Sequence, residues 1–264
     1  MKVALLQFCA GAQKNENLTK ALKMAHEAID AGASFILLPE VFNFRGDTRD
    51  RTVLAHAAER IPGPSSNAFI PLARQHKVSF LLGSIIEKSS GTQAYNTSIL
   101  INTNGEIVVK YRKIHLFDAC IGDKIIRESD CFLSGRKRVI TKVDKFRMGL
   151  SICYDLRFPE LYQQYARKGV DILAVPSCFT KKTGEAHWEA LLRARAIENL
   201  SYVLAPNQVG MDARGMEAYG NSMIISPWGE ILAQGSCGSE EIIFGEVRME
   251  EIHRARRILP GIIK

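Results

Sequence analysis

The sequence predicts an α/β protein with four layers, α-β-β-α, assembled from two similar halves. Three observations predict it. Short apolar runs bounded by Gly, Pro or Asn recur along the chain, as buried strands do. Stretches with apolar residues at helical spacing lie between them. A set of these segments also occurs twice in the same order: Gly32–Pro39 (GASFILLP) resembles Gly169–Pro176 (GVDILAVP), and Tyr95–Val108 (YNTSILINTNGEIV) resembles Tyr219–Leu232 (YGNSMIISPWGEIL). Val3-Ala-Leu-Leu matches Met148-Gly-Leu-Ser-Ile, and Val78–Leu82 matches Leu200–Leu204.

Each element follows from local chemistry. Val3 to Phe8 is the first buried strand. Asn17 to Ala31 carries Leu18, Ala21, Leu22, Ala25, Ala28 and Ile29 on one helical face, and Gly32 ends it. Ser66 to His76 is a second helix, with Ser65 or Ser66 as its cap. The second half predicts helices over Pro159–Lys168 and His187–Leu200. Asn104-Gly105 and Trp228-Gly229 each turn an antiparallel hairpin. A strand near Glu241–Val247, a helix over Glu250–Arg257 and a tail complete the chain. Each half thus runs strand, helix, strand, helix, strand, hairpin, and two such halves suggest two sheets packed face to face with helices outside.

The 264 residues suit one domain spanning positions 1–264, large enough to need no disulfide or structural metal. No apolar run is long enough to span a membrane, and the N-terminal run is too short for a secretory signal, so a cytoplasmic location is expected. The six cysteines form no C-x-x-C pair, which argues against a zinc or thioredoxin-type site and for free thiols. No phosphate-binding Gly-rich loop and no H-E-x-x-H is present, so neither a nucleotide nor a metal is expected, and no cofactor. The net charge of +7 is scattered apart from Arg136-Lys137-Arg138 and Arg254–Arg257, and no basic stripe is interleaved with aromatics. Nucleic acid is therefore not an expected partner; a small molecule is.

Three segments carry polar residues at or just after buried strands, where α/β folds place their chemistry. Cys153 ends an apolar strand and precedes a helix, an environment that favours a thiolate, although a buried cysteine also serves as a small apolar residue. Glu40 directly follows the Leu37-Leu38-Pro39 strand end. A charge there needs a partner or a task, and partial burial would raise its pKa toward that of a general base. The repeat has Ser177 at this position, so the halves diverge where the charge appears. Lys113, in Lys110–Asp118 (KYRKIHLFD), lies among apolar residues after the first hairpin and either points inward or belongs to a surface basic cluster. His115 nearby is the rival base for a Cys-His pair.

Together LLPE at Glu40, YRKIHLFD at Lys113, CYDLRFPELY at Cys153 and FTKKTGEAHWEALLRARAIEN over Phe179–Asn199 resemble the Glu-Lys-Cys enzymes of the nitrilase, or carbon–nitrogen hydrolase, superfamily. The resemblance runs from Val3 to Pro260 and independently implies the α-β-β-α sandwich. It implies Cys153 as nucleophile, Glu40 as proton shuttle, Lys113 and the Tyr154 N–H as stabilisers of an oxyanion, and Glu128 as a second glutamate. It also implies a homodimer or larger homo-oligomer. The chain is most similar to the deaminated-glutathione amidases, with the omega-amidases second. That implies a small amide substrate with a free carboxylate, held by Arg157 beside Phe179 and Thr183. Gly220-Asn221-Ser222, Cys178 and the Cys120–Arg127 loop depart from the usual pattern near the expected pocket.

Overall fold

The computed structural model describes residues 1–121 and 124–260. Positions 122 and 123 of the Cys120–Arg127 loop, and the last four residues of the 1–264 span, lie outside the described residues.

The first half contributes strand β1 (Lys2–Gln7), helix α1 (Lys14–Asp30), β2 (Phe35–Leu37), α2 (Arg51–Ala57), α3 (Pro64–His76), β3 (Ser79–Lys88), β4 (Ala94–Ile101) and β5 (Ile107–Arg112). A small hairpin, β6 (Asp118–Ile121) and β7 (Lys124–Arg127), links it to the second half. There follow β8 (Ile140–Val143), β9 (Phe146–Leu150), α4 (Pro159–Ala166), β10 (Ile172–Ala174), α5 (Lys181–Asn199) and β11 (Tyr202–Ala205). The ribbon β12 (Val209–Met211) and β13 (Glu217–Tyr219) precedes β14 (Met223–Ile225), β15 (Ile231–Gln234), β16 (Glu241–Glu246) and α6 (Met249–Ile258).

The repeat in the sequence becomes a strand-for-strand repeat in space. One six-stranded sheet runs β16-β1-β2-β3-β4-β5 and the other β8-β9-β10-β11-β14-β15. In each, three parallel central strands are followed by an antiparallel hairpin. Strand β16 comes last in sequence yet completes the first sheet, pairing antiparallel with β1 from Lys2↔Glu246 to Gln7↔Glu241. It covers an edge that would otherwise present unpaired backbone groups.

Alternation along the strands sets the layers. Val3, Leu5, Phe35, Leu37 and Leu81 turn one way and share a core with Met148, Leu150, Ile172 and Ala174 of the second sheet. Ala4, Leu6, Ile36 and Phe80 turn the other way and pack on α1 and α3 through Ala21, Ala25, Ala28 and Phe69. Trp188 and Leu192 of α5 and Tyr162 of α4 cover the second sheet. The architecture is the four-layer α-β-β-α sandwich, as predicted.

Some boundaries differ. Helix α5 begins at Lys181, six residues before the expected start at His187, because Gly184 lies flat against the Tyr219 ring, where a Cβ would come within 2.2 Å. That glycine, inside a run of charged residues, reads locally as a loop. Helix α2 was not expected. Its seven residues show little periodicity, and it stands on an Asp50 carboxylate that accepts from the Thr52 and Val53 N–H groups at 2.7 and 3.2 Å. The cap of α3 is Gly63 rather than a serine; Ser66 closes back on it, accepting from the Gly63 N–H at 2.9 Å.

Candidate active site

The carboxyl ends of corresponding strands in the two halves abut. The segment after β2 brings Leu38-Pro39-Glu40 against Pro176-Ser177-Cys178 after β10, with the Glu40 N–H donating to the Ser177 carbonyl at 3.3 Å. The Cys153 N–H, just beyond β9, donates to the Pro176 carbonyl at 3.0 Å. Two non-glycine residues here adopt positive φ. Cys153 has φ +48° and Val41, next to Glu40, has φ +45°, a region that a β-branched residue enters only when its surroundings compel it. The surroundings do so: Ser84 Oγ accepts from the Val41 N–H at 2.8 Å, and Gln208 Nε2 donates to the Glu40 carbonyl at 2.6 Å. Gly83 of β3 permits the close approach, since a Cβ there would stand 1.8 Å from the Leu38 carbonyl oxygen.

Lys113 reaches this point from the segment after β5. Its Nζ lies 2.8 Å from Glu40 Oε1 and 2.8 Å from Glu128 Oε2, and both Lys113 and Glu40 are buried. Glu128 sits on the short turn after β7, oriented by the Phe117 N–H at 2.6 Å. Asn96 Nδ2 donates to Glu40 Oε1 at 2.8 Å and to Glu128 Oε1 at 3.2 Å, tying the two carboxylates together. The other Glu40 oxygen accepts the Cys178 N–H at 2.9 Å. The Glu40 carboxylate and the Cys153 thiol line the same cavity, close enough for the carboxylate charge to act on the thiol.

The electrostatics of the cluster fix its resting protonation. Burial pushes the Glu40 carboxyl up, but the Lys113 ammonium and, behind it, the Arg45 charge together outweigh it and hold Glu40 below the usual carboxylate range. This is the reverse of the expected upward shift, because the lysine partner is in direct contact. Burial pulls Lys113 down, and the two carboxylates overcome it, raising it well above the ordinary lysine value. Burial and the Glu40 charge together push Cys153 well above an ordinary thiol, only partly offset by Lys113. The expected thiolate-favouring helix end is absent: Cys153–Arg157 form a short 3-10 turn. The site therefore rests as thiol, carboxylate and ammonium.

Asp155 supports this arrangement. Fully buried, it accepts from Tyr111 Oη at 2.6 Å, from the Ile152 N–H at 2.9 Å and from the His115 N–H at 2.9 Å, and it contacts His115 Nδ1 at 2.7 Å. One carboxylate thus joins the Cys153 turn to the Lys113 segment. The His115 ring is held by that contact and by stacking on Phe158 at 3.6 Å, and it does not line the cavity.

Cys153, Glu40, Lys113, Glu128 and Asn96 open into one cavity of about 450 Å³. Its other walls include Phe44, Arg45 and Arg49 before α2, Arg127 of β7, and Arg214 and Met216 in the β12–β13 turn. The remaining sequence-derived candidates stand beside it. Tyr154 is the second residue of the Cys153 turn, where the helical backbone offers its N–H no acceptor. The Arg157 guanidinium lies 5.8 Å from the Tyr154 ring centre and 5.4 Å from that of Phe179, and its Nη1 meets His187 Nδ1 at 3.2 Å. Phe179 packs on Trp188, and Thr183 Oγ1 pairs with Thr180 Oγ1 at 2.9 Å. None of these four is among the cavity-lining residues.

The sequence profile of the carbon-nitrogen hydrolase family matches residues 2–257. The chain belongs to that family. As a carbon–nitrogen hydrolase of the nitrilase superfamily, it is an amidohydrolase acting on bonds other than peptide bonds. It is similar to the omega-amidase NIT2 of Xenopus tropicalis, at 38% identity over 261 residues, covering 98% of this chain and 92% of the relative. It is also similar to the deaminated glutathione amidase of Dictyostelium discoideum, at 37% identity, covering 98% and 91%. Among solved structures, Saccharomyces cerevisiae Nit3, described as a member of branch 10 of the nitrilase superfamily, matches with TM-score 0.88 and 32% identity over 99% of this chain and 94% of its own. The C. elegans NitFhit protein matches with TM-score 0.90 and 33% identity over 98% of this chain, which spans 63% of that longer protein.

Sequence reasoning missed Asn96, Arg45 and Asp155 as parts of the site. Asn96 carried a signal, a polar residue in a strand flanked by apolar ones. Arg45 carried none, because its loop has no period and its partners are remote in sequence.

Proposed function

We propose that this carbon–nitrogen hydrolase cleaves the terminal amide of a small, carboxylate-bearing, deaminated-glutathione-like substrate through a thioester on Cys153, releasing ammonia. The observation that carries the reading is the convergence of the paired Glu40 carboxylate and Lys113 ammonium, 2.8 Å apart, with Cys153 on one cavity. Glu40 takes the thiol proton as sulfur attacks the amide carbon. The carbonyl oxygen becomes an oxyanion, held by Lys113 Nζ and the Tyr154 N–H; one such donor contributes roughly 3–4 kcal/mol to the transition state. Glu40 then gives the proton to the departing nitrogen, ammonia leaves, and the thioester remains. Glu40 next takes a proton from water, the hydroxide adds to the thioester, and collapse expels the sulfur, which recovers its proton. One water enters; one ammonia and one carboxylic acid leave. A raised thiol pKa suits this scheme, because the proton moves only as the sulfur bonds to carbon.

A second reading is an omega-amidase or another carbon–nitrogen hydrolase taking an aliphatic amide, N-carbamoyl or nitrile substrate; its omega-amidase form is favoured by the similarity to the Xenopus tropicalis omega-amidase, which equals that to the Dictyostelium discoideum enzyme within one percentage point of identity. Both readings share the chemistry and differ in the substrate. The resemblance also supports a homodimer or larger homo-oligomer.

Cys153→Ala should abolish ammonia release, and Glu40→Gln should lower it by about a thousandfold or more. Mass spectrometry of enzyme quenched during turnover should find the acyl group on Cys153. An acyl group on Cys178 instead, or wild-type rates in Glu40→Gln, would refute the mechanism. Ammonia release from omega-monoamides with and without an alpha-keto group, beside deaminated glutathione, separates the two substrates.

A further inference from the structure

The Glu40 carboxylate is nearly full. An ionised carboxylate offers about four lone pairs to donors. On Oε1, Lys113 Nζ and Asn96 Nδ2 each donate at 2.8 Å. On Oε2, the Cys178 N–H donates at 2.9 Å. Those donors leave about one lone pair open, and it lies on Oε2. Asn96 stands where the parts of the site join. It lies in β4, is 1% exposed, and its carbonyl accepts the Lys113 N–H at 2.9 Å. Its Nδ2 serves both carboxylates, Glu40 Oε1 at 2.8 Å and Glu128 Oε1 at 3.2 Å. Turning the amide over would set Oδ1 against two anions, so its orientation is fixed. Oδ1 itself is buried and has no hydrogen-bond partner among the described residues. An orphaned buried acceptor costs stability, so folding alone does not account for the amide. The repeat agrees: the position corresponding to Asn96 in the second half is Gly220, which has no side chain to donate.

We infer that Asn96 is a positioning residue for the proton shuttle: by filling Oε1 together with Lys113, it turns Glu40 so that Oε2 carries the proton. This rests on the proposed role of Glu40 and deepens it by naming the oxygen and what orients it. Oε2 takes the thiol proton as sulfur bonds to the amide carbon, and the same oxygen hands it to the departing nitrogen. Oε1 keeps its two donors throughout, so the carboxylate need not rotate between the two transfers. Glu40 is faced by Lys113 beyond β5, Cys153 beyond β9, Cys178 beyond β10 and, from its own loop, Arg45, while Glu128 beyond β7 shares Lys113 and Asn96 with it. Asn96 adds no charge to this set. It binds the ionised form of Glu40, so its loss should make the carboxylate easier to protonate.

The test measures kcat, KM and the pH profile of kcat/KM for wild type, Asn96→Leu, Asn96→Ala and Glu40→Gln. The substrate is glutaramate or deaminated glutathione, whichever the wild type turns over faster. Asn96→Leu keeps the branched outline of the side chain and removes both donors. It should lower kcat by about 10- to 100-fold, leave KM within about threefold, and move the acid limb of kcat/KM to higher pH. A residue that only supported the fold would leave that limb in place. Wild-type kcat, a loss carried by KM, or a fall in kcat with an unmoved acid limb overturns the inference. If Asn96→Leu does not fold by circular dichroism, Asn96→Ala decides on the same readings. Failure of both to fold also overturns it, since Asn96 would then serve the fold. Glu40→Gln separates the two claims. Wild-type turnover there refutes the shuttle itself, whereas an inactive Glu40→Gln beside an unaffected Asn96→Leu refutes only the role of Asn96.

Discussion

Lys113 is the residue on which the buried charges depend. Its ammonium lies between Glu40 and Glu128, and without it two carboxylates would face each other across Asn96 with no cation in contact. Lys113→Met should therefore destabilise the protein by about 3–5 kcal/mol in urea unfolding, as breaking a buried pair does, besides removing turnover. A loss below about 1 kcal/mol would mean that the ion pairs are solvated in solution. The same contact explains why the expected upward shift of Glu40 is reversed. Sequence can place a carboxylate at a strand end, but the sign of its shift depends on which cation touches it. Glu40, Lys113 and Cys153 stood out because each follows a strand with its own distinctive motif. Arg45 and Asp155 did not, because what each does is set by partners remote in sequence: Asp212 for Arg45, and Tyr111 of β5 for Asp155.

At the scale of the element, the site depends on how closely strand ends approach. Strand β3 carries an irregularity between Leu82 and Ile85, and Gly83 within it lets the Leu38-Pro39 backbone pass at van der Waals contact. The atoms that a Cβ would strike are backbone carbonyls, which cannot swing aside. Gly83→Ala should cost about 1–3 kcal/mol in thermal or urea unfolding and lower kcat by displacing Glu40. Wild-type stability and rate in that variant would show that the approach is not needed. The strands of the repeated segments and the hairpin turns at Gly105 and Gly229 follow from apolar runs and turn chemistry, and the structure has them where the sequence places them, whereas the short ribbons β6–β7 and β12–β13 and the edge strand β8 were not expected. Helix α2 and the start of α5 escaped because they are fixed by caps and ring packing rather than by period.

For the whole molecule, the shifted groups define a window of pH stability. Glu40 is held low, so its contribution is present above the unfolded carboxylate value of about 4.3 and is lost as pH falls through the lower folded value. Lys113 and Cys153 are held high. Their contributions are complete below the unfolded values, about 10.4 and 8.5, and are lost as pH rises through the folded ones. Thermal melts should show a plateau from about pH 5 to about pH 8, an acid decline below it, and an alkaline decline that begins with the thiol. Cys153→Ala should make that alkaline decline shallower. A melting temperature that rises above about pH 9 would contradict the assigned directions. Among the described residues no helix is long and apolar enough to cross a membrane.

By itself the sequence determined the layers and the doubling of the half, which follow from local periodicity and turn chemistry, and its motifs singled out Glu40, Lys113 and Cys153 through the family resemblance. Only the tertiary structure decided the rest: the last strand sits beside the first, Glu40 is ionised and Cys153 is not, and two arginines share one aspartate in the cavity wall. The physical reason is that burial and Coulomb energy depend on distance in space. The groups that set them lie on strand ends and loops that meet only once both sheets have closed on one another.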